Sequence, residues 1–463
     1  MADYDLIVIG GGPAGLVCAV GAAGLGARVL LVERGQLGGD CLNVGCVPSK
    51  ALLRSARAVR DARSASAVGV QVTGTTTDFG AVMQRMRDVR THLGRHDSSE
   101  RLASLGVDGI HGEARFADRR HVAVGERRLR FRRAVIATGG RPAVPPIPGL
   151  AGVPYLTNET VFSLTEQPRT LLVVGAGAVG CELAQAFALF GTEVTVADVA
   201  DRPLPAEDPE ASAIVRRRLA EDGVRFELGA AIRQIGPDAG TVLVAAGRTP
   251  NIEGLDLANA GVAATTAGVT VNDRLQTSNP RIFAAGDVAV PWKFTHAADA
   301  TARLVIQNAL FFGRARMSSL IVPWCTYTSP EVAHVGLTFK DAVSQGAATV
   351  TVPFADVDRA VLDGDTGGFV RIHHKGGRIL GSTIVGAHAG DLIAHVAQVM
   401  RGGRGGRGGR GGAALGDLAN TVFPYPTYAE ALRKAGDAYR RTRLSPAVRG
   451  LLSRYFRIWR LFW

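Results

Sequence analysis

Cys41 and Cys46 stand with four residues between them in GGDCLNVGCVPSK, residues 38–50, behind a glycine pair and ahead of Pro48, Ser49 and Lys50. Two cysteines so placed can hold a metal, staple a loop, or exchange electrons as a dithiol and a disulfide. A structural zinc site joins such a pair to a second cysteine pair or to histidines. No second pair stands in the sequence, so no structural metal is expected. A staple across so short a loop adds little to a large core. Redox chemistry fits best. The thiolate is the nucleophile, and its pKa falls at a helix N-terminus or beside a cation. Lys50 followed by ALLRSARAVR reads as a helix with a lysine in its first turns.

The elements around the pair decide what it exchanges electrons with. Residues 5–34, DLIVIGGGPAGLVCAVGAAGLGARVLLVER, read as strand, glycine turn, helix and strand. Residues 170–198, TLLVVGAGAVGCELAQAFALFGTEVTVAD, repeat that order. Gly10, Gly12 and Gly15 make the first turn; Gly175, Gly177 and Gly180 make the second; the closing strands end on Glu33 and Asp198. In such a unit the first glycine makes the tight turn and the second lets backbone approach a pyrophosphate. The third lets helix pack on strand, and the acid accepts from a ribose hydroxyl. Two units imply two dinucleotides. A flavin can take hydride from a nicotinamide and pass two electrons to a disulfide, and the cysteines follow directly on the first unit.

Further along, FRRAVIATGGRPAVPPIPG (131–149) reads as a strand, a turn and a proline-rich crossing, and TSNPRIFAAGDVA (277–289) as a strand ending in Gly286-Asp287. From about residue 330 short strands and helices take over, with GGFVRIHHKGGRILGSTIVG as a hairpin. RGGRGGRGGRGG (401–412) interrupts the helix begun at DLIAHVAQVM. Glycine costs a helix roughly 1 kcal/mol per residue against alanine, so a mobile loop is expected there, and an RNA-binding role is set aside. In the C-terminal SPAVRGLLSRYFRIWRLFW, Leu451, Leu452, Tyr455, Phe456, Trp459 and Phe462 share one helical side, with Arg449, Arg457 and Arg460 largely opposite. That pattern suits a peripheral membrane contact or a helix packed on a partner subunit.

The cysteine segment resembles the active-site segment of the class I pyridine nucleotide–disulfide oxidoreductases, which include dihydrolipoamide dehydrogenase, glutathione reductase and mercuric reductase. The resemblance runs through both glycine turns, ATGG, AAGRTPN, AAGD and the C-terminal FPYPTYAE. It implies FAD on the first unit, with Glu33 on the adenosine ribose, Gly112 and Ala114 on the adenine side, and Asp287 near the ribityl chain. Gly39, Lys50, Thr138, Gly139, Gly247 and Gly286 join the cofactor-binding set by the same likeness. A nicotinamide nucleotide falls to the second unit, where Asp198 favours NADH and nearby Arg202 keeps NADPH open. Cys46 would face the flavin, Cys41 would attack the acceptor, and Lys50 and Glu182 would pair beside the flavin.

Disulfide-reducing members carry a histidine acid–base near the C-terminus, backed by a glutamate. Here Tyr425 takes the histidine position and Glu430 stands behind it. A phenol with a pKa of about 10 is a poor base at neutral pH. Mercuric reductase resembles the chain better, sharing Phe-Pro-Tyr and ELAQAFA, and Cys41, Cys46 and Tyr425 could receive a substrate metal ion. The chain departs from that enzyme in ending on RIWRLFW without a cysteine pair, in having no N-terminal metal-binding domain, and in running almost directly from helix to GRTPN. The last departure predicts a shortened nucleotide lobe.

With 463 residues the chain exceeds one core. Net charge is +12, but Lys50, Lys293, Lys340, Lys375 and Lys434 are its only lysines. That arginine skew reads as coding bias and carries no argument for nucleic acid. Sparse, odd cysteines point to a reducing, cytoplasmic setting. No signal peptide and no apolar run of about 18 residues is read. The expected architecture is α/β: an FAD domain over 1–150, a shortened NAD(P) domain over 151–270, an FAD-domain return over 271–325, and an α+β dimerisation domain over 326–463. The expected function is an NAD(P)H-dependent, mercuric-reductase-like flavoprotein acting on a small-molecule or metal-ion acceptor as a homodimer. The alternatives are a dihydrolipoamide dehydrogenase and a non-enzymatic flavoprotein with an impaired nucleotide lobe, bound to membrane or nucleic acid.

Overall fold

The computed structural model describes residues 2–405 and 414–462. It divides into two units: the chain up to Asp201 together with Asp222–Leu320, and Arg202–Glu221 together with the chain from Ile321 on.

In the first unit, Val107–His111, Val29–Glu33, Tyr4–Ile9 and the far half of Arg127–Ile136 lie side by side in parallel. Ile282–Ala284 returns to pair with Arg127–Ile136. The near half of that long strand instead pairs antiparallel with His121–Val124. Along Tyr4–Ile9, Leu6 and Val8 enter one core with the helix Pro13–Gly24, while Ile7 and Ile9 enter another with Phe116 and Ile136. Successive side chains on a strand point to opposite faces. A sheet covered on both faces therefore needs an unbroken apolar run, as LIVI supplies.

A second sheet in the same unit is wholly parallel, in the order Val224–Leu228, Glu193–Asp198, Thr170–Val174, Thr241–Val244, Tyr155–Leu156. The shortened stretch therefore still closes a five-stranded sheet. Ile235 packs with Leu150, Val174, Val242 and Val244, and Thr241–Val244 takes its place beside Thr170–Val174. Two Rossmann-like sheets thus stand as the sequence leads one to expect.

The second unit holds an antiparallel sheet ordered Trp324–Thr326, Glu331–Gly336, Arg378–Gly386, Phe369–Lys375, Ala348–Pro353. The hairpin turns at Gly376 and Gly377, both at positive φ, +59° and +91°. The helix Pro209–Glu221 belongs with this unit. Arg371 reaches buried Asp208 at 2.7 Å, and Trp324 Nε1 donates to Glu207 at 2.6 Å. The helix begun in DLIAHVAQVM runs on through Gly405, which corrects the expectation for residues 401–405. An established helix adds residues without a new nucleation cost, and Leu392, Ile393 and Val396 anchor it in the core. The rest of the RGG tract lies outside the described residues. Among the described residues, no helix is long and apolar enough to cross a membrane.

Candidate active site

The two glycine turns reach the same backbone solution. Gly10 and Gly175 sit at φ +107° and +113°, and a Cβ on either would lie about 2.4–2.5 Å from a carbonyl oxygen. A Cβ on Gly15 or Gly180 would meet the carbonyl oxygen of Gly10 or Gly175 at 1.7 or 1.9 Å. The middle glycines differ in kind: the nearest atom to a Gly12 Cβ is Gly39 Cα at 3.7 Å, and Gly177 has nothing within 4 Å. Gly12 and Gly177 are also the N-caps of Pro13–Gly24 and Ala178–Phe190, with no side chain capping either helix. Each turn therefore presents open backbone N–H groups at a helix N-terminus, a cradle suited to a pyrophosphate.

The acids complete both units alike. Glu33 accepts from Gly11 N at 2.5 Å and Gly35 N at 2.6 Å; Asp198 accepts from Ala176 N at 2.6 Å and Ala200 N at 2.8 Å. Each carboxylate is thus fixed against its own turn. Gly112 N donates to the Glu33 carbonyl at 2.8 Å, which brings Gly112 and the strand beginning at Ala114 beside the first acid.

Cys46 is the first residue of the 19-residue helix Cys46–Ser64, with Gly45 as its N-cap. Cys41 lies in the short helix Gly39–Val44. At Gly39 a Cβ would come within 2.7 Å of Gly12 Cα, so this glycine lets the cysteine segment sit against the first turn. The two residues are free thiols, Cys46 exposed and Cys41 partly buried. A hydrogen bond from the Cys41 thiol is the main cause holding the Cys46 thiol down, to about 6. The Thr295 hydroxyl, 3.5 Å from Cys46 Sγ, and the Lys50 charge push the same way. The helix N-terminus adds positive potential at that sulfur. Cys41 is pushed up, first as the donor in that bond and then by burial. Thr295 opens the helix Thr295–Leu310 and drew no attention in the sequence; a hydroxyl after Lys293-Phe294 carries no local signal.

Lys50 Nζ, on the helix that opens at Cys46, pairs at 2.7 Å with buried Glu182 on the helix after the second glycine turn. Thr138 Oγ1 donates to Asn251 O at 2.7 Å, and Asn251 N donates to Gly139 O at 3.0 Å, which stitches ATGG to the GRTPN segment beyond Gly247. Arg248, absent from the expected site, pairs with Asp40 and lies 3.2 Å from Asp287. Burial raises Asp287, opposed by Arg248 and Lys293. Gly286 adopts φ +75° directly before it.

Tyr425 and Glu430 belong to the second unit. Tyr425 is exposed and donates its hydroxyl to Asp358 at 3.0 Å, which raises its pKa above the ordinary phenol value. Glu430 instead pairs with Arg433 and Lys434, each at 3.2 Å. Among the described residues no cluster of three or more His, Cys, Asp or Glu could hold a metal ion.

Residues 4–302 match the sequence profile of the pyridine nucleotide-disulphide oxidoreductases, and residues 322–436 match that family's dimerisation domain. The chain belongs to this family. It is a flavoprotein disulfide oxidoreductase of an FAD-dependent, NAD(P)H-using family, and its dimerisation domain supports a homodimer. It is 36% identical over 465 residues to a mercuric reductase of Streptomyces lividans, covering 94% of this chain and 96% of that one. A dihydrolipoyl dehydrogenase of Bacillus subtilis (strain 168) is 33% identical over 473 residues, covering 94% and 97%. Among solved structures, the HOCl-induced flavoprotein disulfide reductase RclA from Escherichia coli superposes with a TM-score of 0.82 at 28% identity, covering 94% and 99%. A Cu(II) complex of RclA superposes with a TM-score of 0.81 at 29% identity, covering 93% and 98%.

Proposed function

We propose that this oxidoreductase passes two electrons from NADH to a thiophilic metal ion, mercuric or cupric, through the Cys41–Cys46 dithiol. The observation that carries this reading is Tyr425. Where reduction of a dithiol substrate calls for an acid–base near neutral pH, the chain offers a phenol whose proton Asp358 helps to hold. Metal reduction needs no proton delivered to a substrate sulfur. Mercuric reductases and a copper-binding reductase among the relatives support the same acceptor class.

The chain's own groups then have distinct tasks. Cys46 is a thiolate above pH of about 6, stabilised by the Cys41 thiol, the Thr295 hydroxyl and Lys50. Cys41 stays protonated until a metal ion binds, when its proton leaves. Glu182 fixes the Lys50 ammonium. The Gly12 and Gly177 turns would hold the two pyrophosphates, and a carboxylate at Asp198 would disfavour a 2′-phosphate. FAD, when bound, supplies two-electron transfer between nicotinamide and disulfide. As the S–S bond forms, two electrons leave the sulfurs, reducing one Hg(II) to Hg(0) or two Cu(II) to Cu(I). Two electrons from the nicotinamide restore the dithiol. Tyr425 is read as serving the partner subunit's cysteines, and the setting as cytoplasmic, with peripheral membrane contact through the C-terminal helix.

The test is anaerobic titration of the purified holoenzyme with NADH, followed by mercuric ion, cupric ion or lipoamide. Expected are a bleached flavin band, a long-wavelength thiolate band, and reoxidation by a metal ion but not by lipoamide. Rapid lipoamide turnover would overturn the metal reading in favour of a dihydrolipoamide dehydrogenase. Flavin that dithionite reduces but neither NADH nor NADPH reduces would overturn the nucleotide lobe's role.

A further inference from the structure

We propose that the C-terminal helix Pro446–Phe462 docks, lying flat, on an anionic phospholipid surface. The inference deepens the peripheral contact proposed above by naming the surface's chemistry. The helix lies beyond the family's dimerisation-domain match, which ends at residue 436. Its predecessor Glu430–Thr442 buries Leu432, Ala435 and Tyr439 in the core of the second unit. Pro446–Phe462 buries none of its 17 residues. Trp459 is 48% exposed, Leu451 68% and Phe462 78%.

At 3.6 residues per turn, the apolar side chains from Val448 to Phe462, Leu461 excepted, fall within an arc of roughly 160°. Tyr455 and Trp459 lie near its middle. Arg449, Arg454, Arg457 and Arg460 fall outside that arc. Such a helix, carrying four arginines, is too charged to span a hydrocarbon core. It suits the interface plane, with aromatic rings at headgroup depth and guanidinium groups at the lipid phosphates.

Charge selects the occupant. After Asp437 the chain has seven arginines and no acidic residue. A second copy of the helix would bring arginine rims together with no carboxylate to answer them. A phosphatidylglycerol surface supplies that charge and receives the apolar face.

The experiment is flotation of the FAD-loaded full-length protein with vesicles of phosphatidylglycerol and phosphatidylcholine, against phosphatidylcholine alone. Flavin reduction by NADH is measured on the same preparations. Expected is flotation with the anionic vesicles only, weakened by salt. Trp459→Glu, and separately Arg449→Gln, Arg457→Gln and Arg460→Gln combined, should each lower binding at least tenfold and leave flavin reduction unchanged. All these positions are exposed, so the fold carries no penalty. Equal flotation on both vesicle types overturns the anionic surface and leaves peripheral contact standing. No flotation overturns both. A larger oligomer in light scattering, lost in Trp459→Glu without any vesicle binding, assigns the helix to a second copy and also overturns the proposal. None of these outcomes bears on the redox reading, which the NADH measurement judges separately.

Discussion

Replacing Thr295 by valine removes the hydroxyl 3.5 Å from Cys46 Sγ and keeps a side chain of nearly the same shape. A hydrogen bond to a charged group contributes about 1.5–3 kcal/mol. At this length the lower end applies, and about 1.4 kcal/mol corresponds to one pKa unit. The Cys46 thiol, held down to about 6, should therefore titrate about one unit higher in Thr295→Val. Thr295→Ser, which keeps the hydroxyl, should leave it in place. The assay is the pH dependence of iodoacetamide alkylation of the reduced protein, with peptide mass spectrometry separating Cys46 from Cys41. The midpoint is the quantity to read, since a more basic thiolate is intrinsically more nucleophilic and the plateau rate rises with its pKa. An unmoved midpoint refutes the role of the hydroxyl. Alkylation led by Cys41 refutes the division of labour between the two sulfurs.

Other outcomes follow from the same geometry. Gly177→Ala has room for its methyl, so the melting temperature should hold while the NADH dissociation constant rises, read by flavin reduction. Gly180→Ala drives its methyl into the Gly175 carbonyl and should lower the melting temperature as well. Buried Glu207 is raised to about 7 from an ordinary 4.5, so folding is favoured most below pH 4.5 and loses that advantage as pH rises through 7. Glu207→Gln, which keeps an acceptor for Trp324, should be near neutral in denaturation at low pH and stabilising above pH 7, by at most about 3 kcal/mol. Tyr425→His supplies a base that titrates near neutrality, and lipoamide turnover should appear or rise.

What could be read from the chain alone follows the range of the forces involved. The two glycine turns and their closing acids are local, since strand, turn and helix are written in consecutive residues. The helix that carries Lys50 and ALLRSARAVR is equally plain, although its start at Cys46 is visible only in the fold. Lys50 and Glu182 entered through the family likeness, because 132 residues separate them and no local pattern links them. Thr295 lies 249 residues from Cys46 and Asp358 lies 67 from Tyr425; only the folded chain brings such partners together. Pro209–Glu221 is tied to the second unit by Glu210 and by Glu207 and Asp208 just before it, whose partners Arg371 and Trp324 stand far along the sequence. The helical start of the RGG tract shows packing upstream outweighing intrinsic propensity.

The two turns differ at the place where a bound nucleotide would be kept or released. Both turns share the strained first glycine, the packed third glycine and the acid bonded back to the second residue of the turn. They differ in what faces the middle glycine. Gly12 is approached by Gly39, and behind Gly39 come Cys41 and Cys46, so the first cradle is flanked by the segment that carries the thiols. Gly177 faces open space. A nucleotide in the first cradle would be held beside the sulfurs it must serve, while one in the second could leave after each hydride. FAD should therefore survive gel filtration that strips NADH. Loss of both at the same rate would show that the flanking segment does not set residence.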